Sequence, residues 1–317
     1  MQIPEKALIQ APLARYTRYP FRVIAAENGA HFTLSELVNA RALFEHFNGN
    51  PNTHTQWLLY TDELESNVGI QLFGNDPILF YKAAREVEEN TSFKFIDVNL
   101  GCPKRKITKT GSGVALLKNL ETVSQIIESL VKATSLPITI KTRLGWDSYV
   151  LDDLLKIAED YGVFWVMIHG RYANESYDVP ARRDFLSDII GKYETPIIAN
   201  GDVFSLHDIN DYFDRNVSGI AIGRWARENP LVFANKEHTT PEERINVFNR
   251  FIELHLKVEK TIENTKYYLP FVKAYAINTV KGFRNSSQIR NEIQRSTSLE
   301  DIVTFFSCRI NEIISSE

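Results

Sequence analysis

From residue 7 to about residue 235, short β-branched runs alternate with amphipathic helical stretches. Such alternation is the pattern of parallel βαβ units. Strands are read at Leu8–Ala11, Phe32–Glu36, Gly69–Phe73, Phe95–Leu100, Pro137–Thr142, Trp165–His169, Pro196–Asn200 and Gly219–Gly223. PITIK and PIIAN are apolar almost throughout, which suits strands buried on both faces. Helices are read at Pro77–Glu89, Leu120–Ala133, Val150–Tyr161 and Ser205–Phe213, the last with a serine able to cap it. About eight strands separated by helices predict a closed α/β (βα)8 TIM barrel. The competing fold, a doubly wound open sheet, normally carries a glycine-rich phosphate loop after its first strand. Here that turn reads APLARYTRYP, without a glycine.

Strand-like runs stop near Lys236. Thr240 can cap a helix with Pro241 at its first position, over Thr240–Glu263. Pro270–Val280, Ser286–Ile293 and Leu299–Ile314 also read as helical. The expected organisation is a barrel over 1–236 and a small helical domain over 237–317, a division that a chain of 317 residues accommodates. No apolar run approaches the ~20 residues that span a bilayer. The start MQIPEKALIQAP lacks the basic-then-apolar pattern of a signal peptide. The only cysteines are Cys102 and Cys308, so a disulfide framework is not expected and a reducing, cytoplasmic setting is. A formal net charge of -4 means that any nucleic-acid contact must use local basic patches.

In a (βα)8 barrel the active site lies at the C-terminal ends of the strands. Those ends carry Pro12, Glu36, Gln71, Asn99 to Cys102, Lys141 to Arg143, His169 to Arg171, Asn200 to Asp202, and Gly223 to Arg224. A structural protein has no reason to gather so many polar groups on one rim, so a polar ligand-binding mouth is expected. PIIANGD and GIAIGR end the last two strands and set Gly201 and Gly223 where backbone N–H groups can face a phosphate. Arg224 adds a planar donor fork. The plainer reading is that these glycines only make tight turns.

Cys102 follows a strand end between Gly101 and Pro103, ahead of Lys104, Arg105, Lys106 and Lys109. A thiol among cations is a candidate reactive group, whereas a lone cysteine is otherwise a small buried hydrophobe. Lys141 at the end of PITIK suits either a Schiff base or a cation beside a flavin ring. His169 and Arg171 suit phosphate or a flavin edge, and Gln71 a planar heterocycle. There is no HExxH or CxxC spacing, so no metal is expected. TGSG at 110–113 lacks the ending of a P-loop and receives no nucleotide role.

NLGCPKRKITKTGSGVALLKN, PITIKTRLGW, IHGR, PIIANGD and GIAIGRWARENP, with APLARYTRYPFR and QLFG, resemble the blocks of the tRNA-dihydrouridine synthases in order and spacing. The likeness is close over residues 7–235 and looser in the tail. It implies an FMN-bearing barrel that reduces the C5–C6 double bond of uridine in tRNA, with NADPH as reductant. Hydride passes from flavin N5 to C6, and Cys102 matches the cysteine that protonates C5. Asn99 matches an asparagine near uracil and flavin. Gln71, Lys141 and His169 match residues around the isoalloxazine and ribityl chain. Asn200, Gly201, Asp202, Gly223 and Arg224 match the phosphate end, and Pro12, Leu13 and Ala14 the backbone beside the ring. Arg15, Arg18, Lys104, Arg105, Lys106 and Arg143 are expected to ring the mouth, and Arg171 and Tyr177 to belong to the substrate side. Lys273, Lys281, Arg284 and Arg290 are the tail's candidates for tRNA phosphates. The partner is tRNA, with no membrane, and a monomer is expected. The chain departs from the family after HGR, where it reads YANESYDVPARRDF, with Tyr177 and Ala181 as counterparts, and at Trp225. The remaining alternatives are a flavin barrel acting on a free pyrimidine or another small molecule, a Schiff-base aldolase using Lys141, and a non-catalytic RNA-binding barrel.

Overall fold

The computed structural model describes residues 1–262 and 269–314, with side chains as far as Arg309. Glu263, which ends the first helix expected in the tail, and residues 264–268 and 315–317 lie outside the described residues. Eight parallel strands close into a barrel: β1 (Ala7–Gln10), β2 (Phe32–Asn39), β3 (Val68–Phe73), β4 (Phe95–Leu100), β5 (Ile138–Arg143), β6 (Trp165–His169), β7 (Ile197–Asn200) and β8 (Gly219–Ile222). β1 pairs with both β2 and β8, which removes every free edge. The expected (βα)8 architecture is therefore the one observed.

The strand readings hold to within a residue or so, except that β2 runs on to Asn39 through a register shift between Leu34 and Leu37. Ser205 caps helix Leu206–Phe213 by accepting from the Asp208 N–H at 3.1 Å. Thr240 heads helix Pro241–Glu259 in a capping box with Glu243. Helices Tyr19–Glu27, Ala40–Phe47 and Thr53–Leu59 fill the segments between β1 and β3 that had no reading.

Side chains alternate across each strand, so every second residue enters the barrel. The lower interior is an apolar plug of Ile9, Phe32, Leu34, Phe95, Trp165, Met167 and Ile198. Phe32, Phe95 and Trp165 meet edge to face, with ring centroids 4.9 to 6.1 Å apart. Gly69 makes room for this cluster: a Cβ there would lie 2.2 Å from the Phe95 ring. The plug closes one end of the barrel and leaves the other open for polar groups.

Of the C-terminal helices, Pro241–Glu259 packs on helix Tyr19–Glu27; Leu269–Thr279 and Leu299–Ile314 pack on Pro241–Glu259 and on each other, and Ser286–Arg295 packs on Leu269–Thr279. Their Phe248, Phe251 and Tyr275 belong to the same buried cluster as Phe21 and Ile24 of the barrel's first helix. The Arg18 guanidinium lies 5.0 Å from the centre of the Phe271 ring, and Arg250 binds Glu27 at 2.6 Å. Among the described residues, no helix is long and apolar enough to cross a membrane.

Candidate active site

Above the plug the interior turns polar and opens into a cavity of about 850 Å³. The cavity is within the size of small-ligand and cofactor pockets. Strand register sets its walls. Gln71 stands beside Asp97, Asn99 beside Lys141, and Arg143, His169 and Asn200 follow one another across three strands.

One side of the cavity is a row of hydrogen bonds. Gln71 Nε2 donates to Asp97 at 2.6 Å, and Asn99 Nδ2 donates to Gln71 Oε1 at 2.8 Å. Asn99 Oδ1 then accepts from the Cys102 backbone N–H at 3.0 Å. Thr139 donates to the other Asp97 oxygen at 2.7 Å. Asp97 is fully buried, and desolvation pushes its carboxyl up to about 6 against the pull of Gln71, Thr139 and Lys141.

Cys102 is partly exposed at the cavity mouth. The TGSG segment supports its loop from behind. Val114 N–H donates to the Cys102 carbonyl at 3.2 Å, and a Cβ at Gly113, whose φ is +64°, would lie 2.8 Å from that oxygen. Gly113 is thus a packing position under the loop, while Thr110 and Ser112 of the same segment line the cavity.

Next to this row, Lys141 Nζ donates to Asn200 Oδ1 at 3.0 Å, and Asn200 Nδ2 donates to the Ala221 carbonyl at 2.7 Å. Burial, and then the charge of Arg143, lower the Lys141 ammonium to about 8. His169 is buried, and desolvation together with Lys141, Arg143, Arg171 and Arg224 lowers it well below its ordinary value, so the ring is neutral. Arg171 Nη1 lies 3.4 Å from His169 Nε2. Because a guanidinium only donates, Nε2 is the acceptor and Nδ1 carries the proton. Among the described residues, that Nδ1–H has no hydrogen-bond partner.

At the far end, Asp202 accepts from Arg171 at 2.6 Å, Arg224 at 2.7 Å and the Ala181 N–H at 2.7 Å. Burial opposes ionisation of Asp202, but these hydrogen bonds and charges hold it below the usual carboxylate range. The Arg224 guanidinium sits between two exposed rings, 4.3 Å from the centre of Tyr177 and 4.9 Å from that of Phe204.

Pro12, Leu13, Ala14, Gln71, Asn99, Cys102, Lys104, Lys141, Arg143, His169, Tyr177, Asn200, Gly201, Asp202, Gly223 and Arg224 all line this one cavity. Arg105, Arg171, Lys281 and Arg284 do not. Arg105 sits on short helix Arg105–Thr108 and is exposed away from the mouth, while Lys106 lines it. The Arg171 side chain is 1% exposed, bound to Asp202 and to the Val179 and Tyr177 carbonyls, and so holds the loop after β6 instead of facing solvent. Arg18 is drawn inward by Glu36 at 2.8 Å, so the mouth's cations are not the full set expected. In the tail Lys281 is paired with Glu228 at 3.0 Å and Lys273 donates to the Gln294 carbonyl. Asp97 escaped notice because it lies inside a strand, although FIDVNL puts it on the same face as Asn99. Among the described residues no group of His, Cys, Asp and Glu is arranged to hold a metal.

Solved structures share the fold at low sequence identity. The old yellow enzyme homologue from Zymomonas mobilis, 11% identical, aligns with a TM-score of 0.50 over 71% of this chain and 86% of that one. TcOYE with pHBA, 11% identical, gives 0.51 over 71% and 87%. Among sequences, the tRNA-dihydrouridine synthase B of Vibrio vulnificus is 33% identical over 238 residues, 73% of this chain and 71% of the relative. The probable tRNA-dihydrouridine synthase of Rickettsia conorii is 32% identical over 234 residues, 73% and 69% of the two chains. The family model described as dihydrouridine synthase (Dus) matches residues 9–313, and the chain belongs to the dihydrouridine synthase family.

Proposed function

We propose that this protein is a flavin-dependent reductase that converts uridine in tRNA to 5,6-dihydrouridine, with FMN as the flavin and NADPH as the reductant. The observation that carries the reading is the position of Cys102 at the mouth of a cavity whose inner wall offers a half-buried cation, Lys141, and a donor unpartnered among the described residues, His169 Nδ1–H. A buried donor without a partner is costly, and a ligand acceptor removes that cost.

The residues fit a flavin. Lys141 and His169 could hold the polar edge of a planar heterocycle, Pro12 to Ala14 line the same cavity, and Arg224 with the Gly201 and Gly223 turns would hold its phosphate. A flavin bound there supplies the hydride. Cys102 supplies the proton to C5 of the base from its loop, and the Asn99 side chain holds that loop by its backbone N–H. A base stacked in folded RNA must be extruded to enter the cavity. Lys104 and Lys106 are exposed at its mouth, where the RNA backbone would pass, whereas Arg143 lines the interior and donates to the Tyr172 carbonyl at 2.6 Å. The helical tail extends this contact through Lys281 and Arg284, and the protein works as a cytoplasmic monomer.

The test is single-turnover oxidation of the pre-reduced enzyme by tRNA lacking dihydrouridine. Cys102→Ala is expected to keep its flavin and to accept electrons from NADPH. Its reduction of uridine should fall by roughly 10²–10⁴-fold, the worth of a positioned acid. A Cys102→Ala protein re-oxidised by tRNA as fast as the parent removes Cys102 from the chemistry.

A further inference from the structure

We propose that Asp97, which touches neither mouth nor solvent, is the positioning residue that sets the polarity of the hydrogen-bonded row Gln71, Asn99 and Cys102. The inference rests on the reading of the cavity as a uridine-reducing site.

Gln71 and Asn99 end in amides, and an amide can present its oxygen or its nitrogen to either side. A row of two amides therefore has two polarities. An ionised carboxylate has no such freedom, because it only accepts. Asp97 turns Gln71 Nε2 toward itself at 2.6 Å. Gln71 Oε1 must then face Asn99, which answers with Nδ2 at 2.8 Å. The remaining Asn99 oxygen meets the Cys102 N–H at 3.0 Å. If Gln71 flipped, Asn99 would have to flip as well, and its Nδ2 would meet the Cys102 N–H donor to donor. One buried carboxylate thus decides, through two side chains, whether the loop carrying the thiol has an anchor.

The surroundings keep this carboxylate charged and oriented. Thr139 donates to its second oxygen at 2.7 Å, and the charge of Lys141 favours its ionised form. It is 0% exposed, held between Gln71 on β3 and Thr139 on β5. A buried carboxylate is expensive unless it is hydrogen-bonded and paired, so its placement here calls for a function beyond packing.

The test is a polarity swap, read first on the loop and then on the reaction. In Asp97→Asn the row loses its single-acceptor end. Exchange of the Cys102 backbone amide, followed by mass spectrometry of overlapping peptides in the flavin-loaded enzyme, should speed up by about tenfold or more. Single-turnover reduction should slow by about 10- to 100-fold, with flavin content and tRNA affinity as in the parent. In Asn99→Asp a second carboxylate faces Gln71 from its other side, so one of the two must lack a donor. The double variant Asp97→Asn with Asn99→Asp restores one carboxylate and two donors in reversed order, and leaves an oxygen for Cys102. Its Cys102 amide protection should return to within about threefold of the parent, although each single change lowers it.

Parent-like Cys102 protection in Asp97→Asn overturns the inference. So does a double variant whose losses multiply, or one that folds no better than Asp97→Asn. The parent enzyme's own turnover with tRNA separates these outcomes from failure of the functional reading.

Discussion

Lys141 donates to the side-chain oxygen of Asn200 at 3.0 Å from a half-buried position in the cavity wall. Burial lowers the ammonium from 10.5 to about 8, helped by Arg143. The unfolded chain keeps this proton up to about pH 10.5, the folded one only up to about 8. Between those values the unfolded state binds more protons, so this group makes the fold gain stability as pH rises. Below about pH 8 the cost of burying the charge is carried in full. Flavin-free Lys141→Met should therefore be more stable than the flavin-free parent near neutral pH, by on the order of 1–2 kcal/mol. The gap should close by about pH 10 in urea titrations of both proteins. A parent whose stability relative to the variant does not rise over that range shows that Lys141 is not buried as a cation.

The unpartnered Nδ1–H of His169 makes a separate prediction. His169→Phe removes a donor that the flavin-free protein cannot satisfy, so flavin-free stability should hold or rise. Flavin affinity should weaken by about 10- to 100-fold, the worth of one or two buried hydrogen bonds. Because the ring stays neutral across physiological pH, His169 should add no pH dependence to that affinity between about pH 6 and 8. Equilibrium dialysis of flavin against both proteins checks this, and unchanged affinity removes His169 from the cofactor site.

The barrel was legible because buried parallel strands leave continuous apolar runs, and FIDVNL and WVMIH match β4 and β6 residue for residue. Strand ends then pointed to the open rim, since polar residues there need no pairing partner to stand out. The first three helices were not legible. Tyr19–Glu27 buries nearly all of its faces, and Thr53–Leu59 is only seven residues long, so neither has a clean helical stripe. Asp97 and Arg171 show the other limit. Whether a charged side chain faces a ligand or a partner depends on residues distant in sequence: Asp202 for Arg171, Gln71 and Thr139 for Asp97.

Gly69 tests the plug beneath the site. Gly69→Ala places a methyl 2.2 Å from the Phe95 ring, which cannot move without disturbing Phe32 and Trp165. The expected loss is about 1–3 kcal/mol, as for other overpacked cores. Phe95→Leu in the same chain should recover part of it. Thermal unfolding of the two single variants and the double variant checks this, and strictly additive losses contradict the packing argument.

The basic mouth gives a salt dependence. Lys104 and Lys106 line the opening, while the net charge of the chain is -4, so attraction to RNA must be local. Affinity for tRNA should fall steeply with salt through release of counterions. Lys104→Glu with Lys106→Glu should weaken binding and flatten that slope, with the flavin spectrum unchanged. Filter binding at several salt concentrations reads both effects, and an unaltered slope makes the patch a solvated surface.

Reduction of uridine within tRNA is the activity assigned to this cavity. The most direct measurement is mass spectrometry of nucleosides from tRNA lacking dihydrouridine, after incubation with the purified protein, FMN and NADPH. Dihydrouridine is expected in the parent reaction, strongly reduced with Cys102→Ala, and none when free uridine replaces the tRNA. NADPH oxidation without any dihydrouridine in the tRNA would contradict the assignment.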